Sequence, residues 1–187
     1  MDKTTLKQIC SRSEILHPFF RGIQRFESLG QQKYKLKKNG DFLVLNIADQ
    51  HWFTIQRRNH CVYVFDSLSG LMLPEKSKML ATCKELLGGC SPRRLIYDFP
   101  HTPLQSSKSL TCGEHVIVYL LNNCYFLKHS LKTSIKKQKY AHSLLRFSKR
   151  HNITPDECVW REVYINLRLA KIPNMREVVE WYNKEIR

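Results

Sequence analysis

The fold class this sequence predicts is α+β, and three patterns predict it. A short amphipathic helix comes first, three strand-like runs follow with a tight turn between the last two, and the final third is helical in character. That order places helices around a central, mostly antiparallel sheet. At 187 residues the chain has room for one domain with a substantial core, and no repeat, low-complexity tract or Gly/Ser/Pro linker divides it. The expected organisation is one domain over 1–187 with a C-terminal helical extension from about 135.

Taken in order, Thr4 to Ser13 reads as a helix with Leu6, Ile9 and Cys10 on one face. Ile15 to Phe20 is too apolar for an exposed loop and is expected to pack on the core. Asp41 to Ala48, His51 to Gln56 and Cys61 to Phe65 are strand candidates. The last two flank the turn-like Arg57-Arg58-Asn59-His60 and form a hairpin. Pro74 to Leu87 reads as a helix, with proline near its start and Gly88-Gly89 as its stop. Arg94 to Phe99 is a further strand, followed by a loop containing Pro100, Pro103, Ser106, Ser107 and Ser109. Cys112 to Asn122 has helical length and is expected to end at Asn122-Asn123. Thr154-Pro155-Asp156-Glu157 carries a capping signature, with Thr as N-cap, Pro first and Glu three positions on. Asn174 and Glu177 repeat it before a final helix with Val178, Val179, Trp181 and Tyr182.

Composition narrows the class. No apolar run is long enough to span a bilayer, so an integral membrane protein and a membrane partner are not expected. Met1-Asp2-Lys3-Thr4-Thr5 has no apolar core after a basic start, so a secretory signal is not expected and an intracellular location is. Most of the seven scattered cysteines, which include no Cys-x-x-Cys pair, read as small buried hydrophobes in a reducing compartment. The formal charge of +15 is spread over Lys33–Lys38, Arg93-Arg94, Lys128–Lys139 and Arg146–Arg150. Such a surface attracts polyanions, DNA among them, in a salt-dependent way. The bland alternative is a basic surface that serves only solubility.

Four positions carry candidate chemistry. Cys112 stands in Thr111-Cys112-Gly113 at the mouth of an apolar helix, where the positive end of the dipole and free N–H groups favour a thiolate. Gly113 permits close approach of a substrate backbone. His51 begins a strand and Trp52 follows it, placed to wall one side of a site. Asp66 ends the paired strand, so folding the hairpin returns it beside His51. Gln105 precedes Cys112 by seven residues and offers an amide donor. Thiol, imidazole, carboxylate and amide are the nucleophile, base, orienting group and oxyanion donor of a cysteine hydrolase. Cys112, His51 and Gln105 also have plain readings: an unreactive buried cysteine, a half-buried sheet histidine, an exposed loop glutamine. A zinc site built from Cys112, His115, Cys124, His101, His60 and Cys61 lacks the paired spacing such sites use, and His115 reads as an ordinary helix residue.

The order His51-Trp52, Asp66 after an aromatic-ended strand, Gln105, then Cys112-Gly113 resembles the adenovirus endopeptidase family. It is also similar to the wider superfamily of SUMO and ubiquitin-like-protein proteases. The resemblance spans roughly residues 10 to 125 and includes Ile15-Leu16-His17-Pro18-Phe19-Phe20-Arg21-Gly22. The Gln-to-Cys interval matches the adenovirus branch, the acid being Asp66 where adenoviral enzymes use Glu. The resemblance implies a papain-like site in permuted His-Asp-Gln-Cys order, with the sheet packed against the nucleophile-bearing helix. It implies His51, Asp66, Gln105 and Cys112 as catalytic residues and Trp52 and Gly113 as substrate-binding ones. The activity implied is that of a monomeric thiol endopeptidase maturing viral or virus-like precursor proteins in the nucleus and virion. No cofactor is needed for that chemistry. Activation by DNA or by a viral peptide is implied too, although the family's peptide-linking cysteine falls at about Arg94 or Leu95, where this chain has none. Two other readings stay open: an isopeptidase for SUMO- or ubiquitin-like proteins, and an idle nucleic-acid-binding module.

Overall fold

A computed structural model describes residues 1–31, 34–89, 91–99, 101, 103–106, 108–128 and 140–169. Helix α1 (Lys3–Arg12) starts at Asp2, whose carboxylate accepts the Thr5 amide at 2.9 Å. Leu16 and its neighbours then turn into β1 (Phe20–Arg25), and a 3-10 helix (Phe26–Gln31) leads away from it. Strands β2 (Phe42–Ile47), β3 (His51–Arg58) and β4 (Cys61–Phe65) follow, then α2 (Lys76–Leu86) and β5 (Arg94–Tyr97). Helices α3 (Cys112–Lys128), α4 (Tyr140–His151) and α5 (Pro155–Leu169) complete the described elements. The second capping signature and its helix, Cys90, and most of the basic run Lys128–Lys139 lie outside the described residues.

The five strands form one sheet in the order β1-β2-β3-β4-β5. The central pairs β2/β3 and β3/β4 are antiparallel, as adjacent strands joined by short turns must be. The outer pairs β1/β2 and β4/β5 are parallel, so the sheet is mixed rather than mostly antiparallel. The reason lies in the connections: a 3-10 helix and loop return the chain from β1, and α2 returns it from β4.

Alternation along β2 sends side chains to two cores. Phe42 and Val44 join Leu6, Val116, Ile117 and Leu120 on the face covered by α1, α3, α4 and α5. Leu43 and Leu45 join Phe53, Ile55, Met79 and Leu86 on the face covered by the 3-10 helix and α2. Burial of each such side chain contributes about 1.5–3 kcal/mol. Phe65 stacks on Tyr119 with ring centroids 4.1 Å apart, which seats α3 on the sheet.

Several boundaries differ from the sequence expectation. The segment Phe20–Arg25 forms β1 although Gly22 interrupts its pattern; Gly22 has φ +147 and packs against Tyr34. Arg57 and Arg58 extend β3, leaving Asn59-His60 as the turn, with Asn59 at φ +54. Helix α3 runs past Asn122-Asn123 to Lys128, because its second half stays anchored: Cys124 is fully buried and lies 3.4 Å from Gln56 Nε2. Among the described residues no helix is long and apolar enough to cross a membrane.

Candidate active site

The hairpin and α3 bring three of the candidate side chains into contact. His51 opens β3 and Asp66 directly follows β4, and the antiparallel register returns Asp66 to the start of β3. His51 Nε2 lies 2.5 Å from Asp66 Oδ1. The Asp66 carboxylate is itself fixed, its Oδ1 accepting the Leu68 amide at 3.0 Å and its Oδ2 the Gly70 amide at 2.7 Å. This closed turn places Ser69 at φ 58 and Gly70 at φ +87, and Phe99 leaves only 3.0 Å to a Cβ added at Gly70.

Cys112 is the first residue of α3, so its amide has no acceptor within the helix. Its side chain lies close enough to the His51 ring to favour the charged imidazole. His51 is 1% exposed and Cys112 5%. Burial works against an imidazolium at His51, but the Asp66 and Cys112 hydrogen bonds and their charges outweigh it and raise the pKa to about 9. The ring's hold on a proton is therefore strengthened, which suits it to take one from a thiol.

Gln105 is buried rather than exposed. Its backbone amide and that of Leu104 both donate to the Ser67 carbonyl, at 3.2 and 2.8 Å, which ties its loop to the turn holding Asp66. Its Oε1 accepts from Ser67 Oγ at 2.8 Å and its Nε2 donates to the Ser109 carbonyl at 2.6 Å. A carbonyl can only accept, so this contact orients the amide and, among the described residues, leaves its second Nε2 hydrogen without an acceptor.

Trp52 is half-buried and its Nε1 donates to the Met1 carbonyl at 3.1 Å. A Cβ added at Gly113 would come within 3.0 Å of Met1 Cβ, so the first residues lie against both positions expected to contact substrate. A cleft beside Trp52 is bounded by Ile23, Gln24, Arg25, Asn46 and Asp49.

His115 departs from its expected plain role. It is fully buried, and its Nε2 lies 2.9 Å from Asp156 Oδ1 on α5. The sequence marked Asp156 only as part of a helix cap, a role the Thr154 hydroxyl fills by accepting the Glu157 amide at 3.1 Å. No group of three or more metal-ligating side chains occurs among the described residues, and their six cysteines are free thiols.

The architecture is that of a mixed α/β protein with a protease-like fold, in which a cysteine-bearing helix meets the edge of a His/Asp hairpin. A crystal structure of a de-sumoylating protease has this fold, with TM-score 0.50 and 15% identity over 98% of this chain and 82% of that one. No family model matches the chain, and no curated protein matches it in sequence.

Proposed function

We propose that the chain is a cysteine peptidase with Cys112 as nucleophile, and that its substrates are precursor polypeptides of a virus or virus-like element. The observation that carries the chemistry is the buried His51–Asp66 contact, with Cys112 close enough to raise the pKa of the same ring. The Cys112 thiol gives its proton to His51, and Asp66 holds the ring and stabilises its charge. The thiolate attacks the scissile carbonyl, whose oxygen becomes an oxyanion facing the Cys112 amide and the free Nε2 hydrogen of Gln105. His51 protonates the leaving amine, then takes a proton from the water that hydrolyses the thioester. Trp52 and Gly113 border the substrate chain.

The precursor reading rests on the interval from Gln105 to Cys112 and on the +15 charge, which suits a protein working beside DNA. A second reading, deconjugation of SUMO- or ubiquitin-like proteins, is favoured by the function named for the fold neighbour. One experiment separates them. The full chain and its C112A variant are incubated with candidate precursor proteins, with and without duplex DNA, and with SUMO carrying a C-terminal electrophile. New termini and adducts are read by mass spectrometry. Internal cleavage lost in C112A supports the endopeptidase; an adduct on Cys112 without precursor cleavage supports the deconjugase. Absence of both rejects the peptidase reading and leaves the nucleic-acid-binding module.

A further inference from the structure

One carboxylate outside the His51/Asp66/Cys112 contact holds three points around the nucleophile. Asp156, in the first turn of α5, accepts the Ser106 amide on Oδ2 at 3.1 Å. Its Oδ1 accepts the Thr111 hydroxyl and faces His115 Nε2. Ser106 directly follows Gln105, Thr111 directly precedes Cys112, and His115 is one turn into α3. The same side chain thus anchors both ends of the loop between the oxyanion amide and the nucleophile. Within that loop Ser109 links the two ends: its carbonyl accepts Gln105 Nε2 at 2.6 Å, and its hydroxyl lies 2.7 Å from Thr111 Oγ1.

We infer that Asp156 is a positioning residue through which the C-terminal helix α5 sets the oxyanion loop, Gln105 above all, relative to Cys112. This rests on the cysteine-peptidase reading above. Asp156 is held firmly enough for the task, since α5 packs into the core beneath α3 through Cys158, Val159 and Val163. His115 Nδ1 is buried with no hydrogen-bond partner, so Asp156 alone orients that ring. Burial opposes ionisation of Asp156, but hydrogen bonds from His115, Thr111 and the Ser106 amide outweigh it and keep its pKa below the ordinary aspartate value. A full negative charge therefore stands at the junction, able to accept from all three donors together. By contrast, the His51–Asp66 contact lies wholly within the hairpin and does not involve α5.

That separation gives the test. Alkylation of Cys112 by iodoacetamide needs the activated thiol but develops no oxyanion, whereas amide hydrolysis needs both. Both rates are measured for the full-length wild type, D156A, D156N and T111V, using whichever cleavable protein the wild type processes. In D156A the expected result is a fall in kcat of about 100-fold, the scale of a misplaced catalytic group, with KM and the alkylation rate within about 2-fold of wild type. D156N, which keeps an acceptor oxygen, regains part of the loss. T111V, a smaller change, shows the same split if D156A does not fold. Unchanged kcat in the variants, or kcat and alkylation falling together, overturns the inference. A wild type that alkylates but cleaves nothing instead refutes the peptidase reading on which it rests.

Discussion

At the residue scale the decisive group is His51. Alone it is a strand histidine; with Asp66 2.5 Å from Nε2 and the Cys112 side chain nearby, its pKa rises to about 9. On the proposed mechanism the protonated His51 serves as general acid, and kcat/KM is expected to fall as pH rises through about 9. Stability follows the same proton. The folded pKa lies above the unfolded value of 6.5, so the contribution is complete below that pH and is lost as pH rises through about 9. Urea titrations across that window should show a loss on the order of a few kcal/mol. A flat profile between pH 7 and about 9.5 would contradict the coupling. H51A should also slow iodoacetamide labelling of Cys112, while labelling of the fully buried Cys10, whose pKa burial pushes up, stays low in both proteins.

At the element scale, the site depends on how α3 sits on the hairpin. Phe65 is the last residue of β4, immediately before Asp66, and its ring stacks on Tyr119 with planes 8° apart. Tyr119 is tied further, accepting from Arg58 at 2.9 Å and donating to Asp98 at 3.0 Å. Replacing Phe65 by Ala opens a cavity between helix and strand, an expected loss of about 3–5 kcal/mol in urea unfolding. Because the cavity adjoins the Asp66 turn, activity should fall in F65A even where the protein is fully folded; full activity at that loss of stability would show that the helix seat and the site are independent. The elements themselves were unequally legible. The β3/β4 hairpin was readable because alternating apolar residues flank a polar turn, and α1 because Leu6, Ile9 and Cys10 fall on one face. Strand β1 was not, since Phe-Arg-Gly-Ile-Gln-Arg has weak alternation and its strand state comes from parallel pairing with β2. The end of α3 was misjudged for a similar reason: Asn122 and Asn123 are poor helix formers, and packing of Cys124 overrides them.

At the scale of the whole molecule, one group of cations and the His51–Asp66 contact stand at opposite ends of the hairpin. His51 and Asp66 stand at one end of the hairpin, while the Asn59-His60 turn marks the other. Lys35, Lys37, Lys38, Arg93 and Arg94 gather near that turn through the contacts of Arg57 with the Leu36 and Lys37 carbonyls and of the Arg93 amide with His60. Among the described residues none of these five cations is ion-paired with a carboxylate. If this end holds DNA, log affinity for a short duplex should fall linearly with log salt, and K37E/K38E should make the slope shallower by about 2. A slope near zero, or one the double variant leaves unchanged, would remove this face as a DNA contact.

What the sequence by itself determined is the hairpin that pairs His51 with Asp66, because strand alternation and a short turn are local patterns. The placement of Cys112 at a helix start was local too. The tertiary structure alone decided the mixed order of the sheet and the burial of Gln105 against Ser67 and Ser109. It also decided the reach of Asp156 across 45 residues to Thr111. Such contacts depend on how separate elements pack, and no spacing along the chain encodes the distance between two side chains brought together only by a shared core.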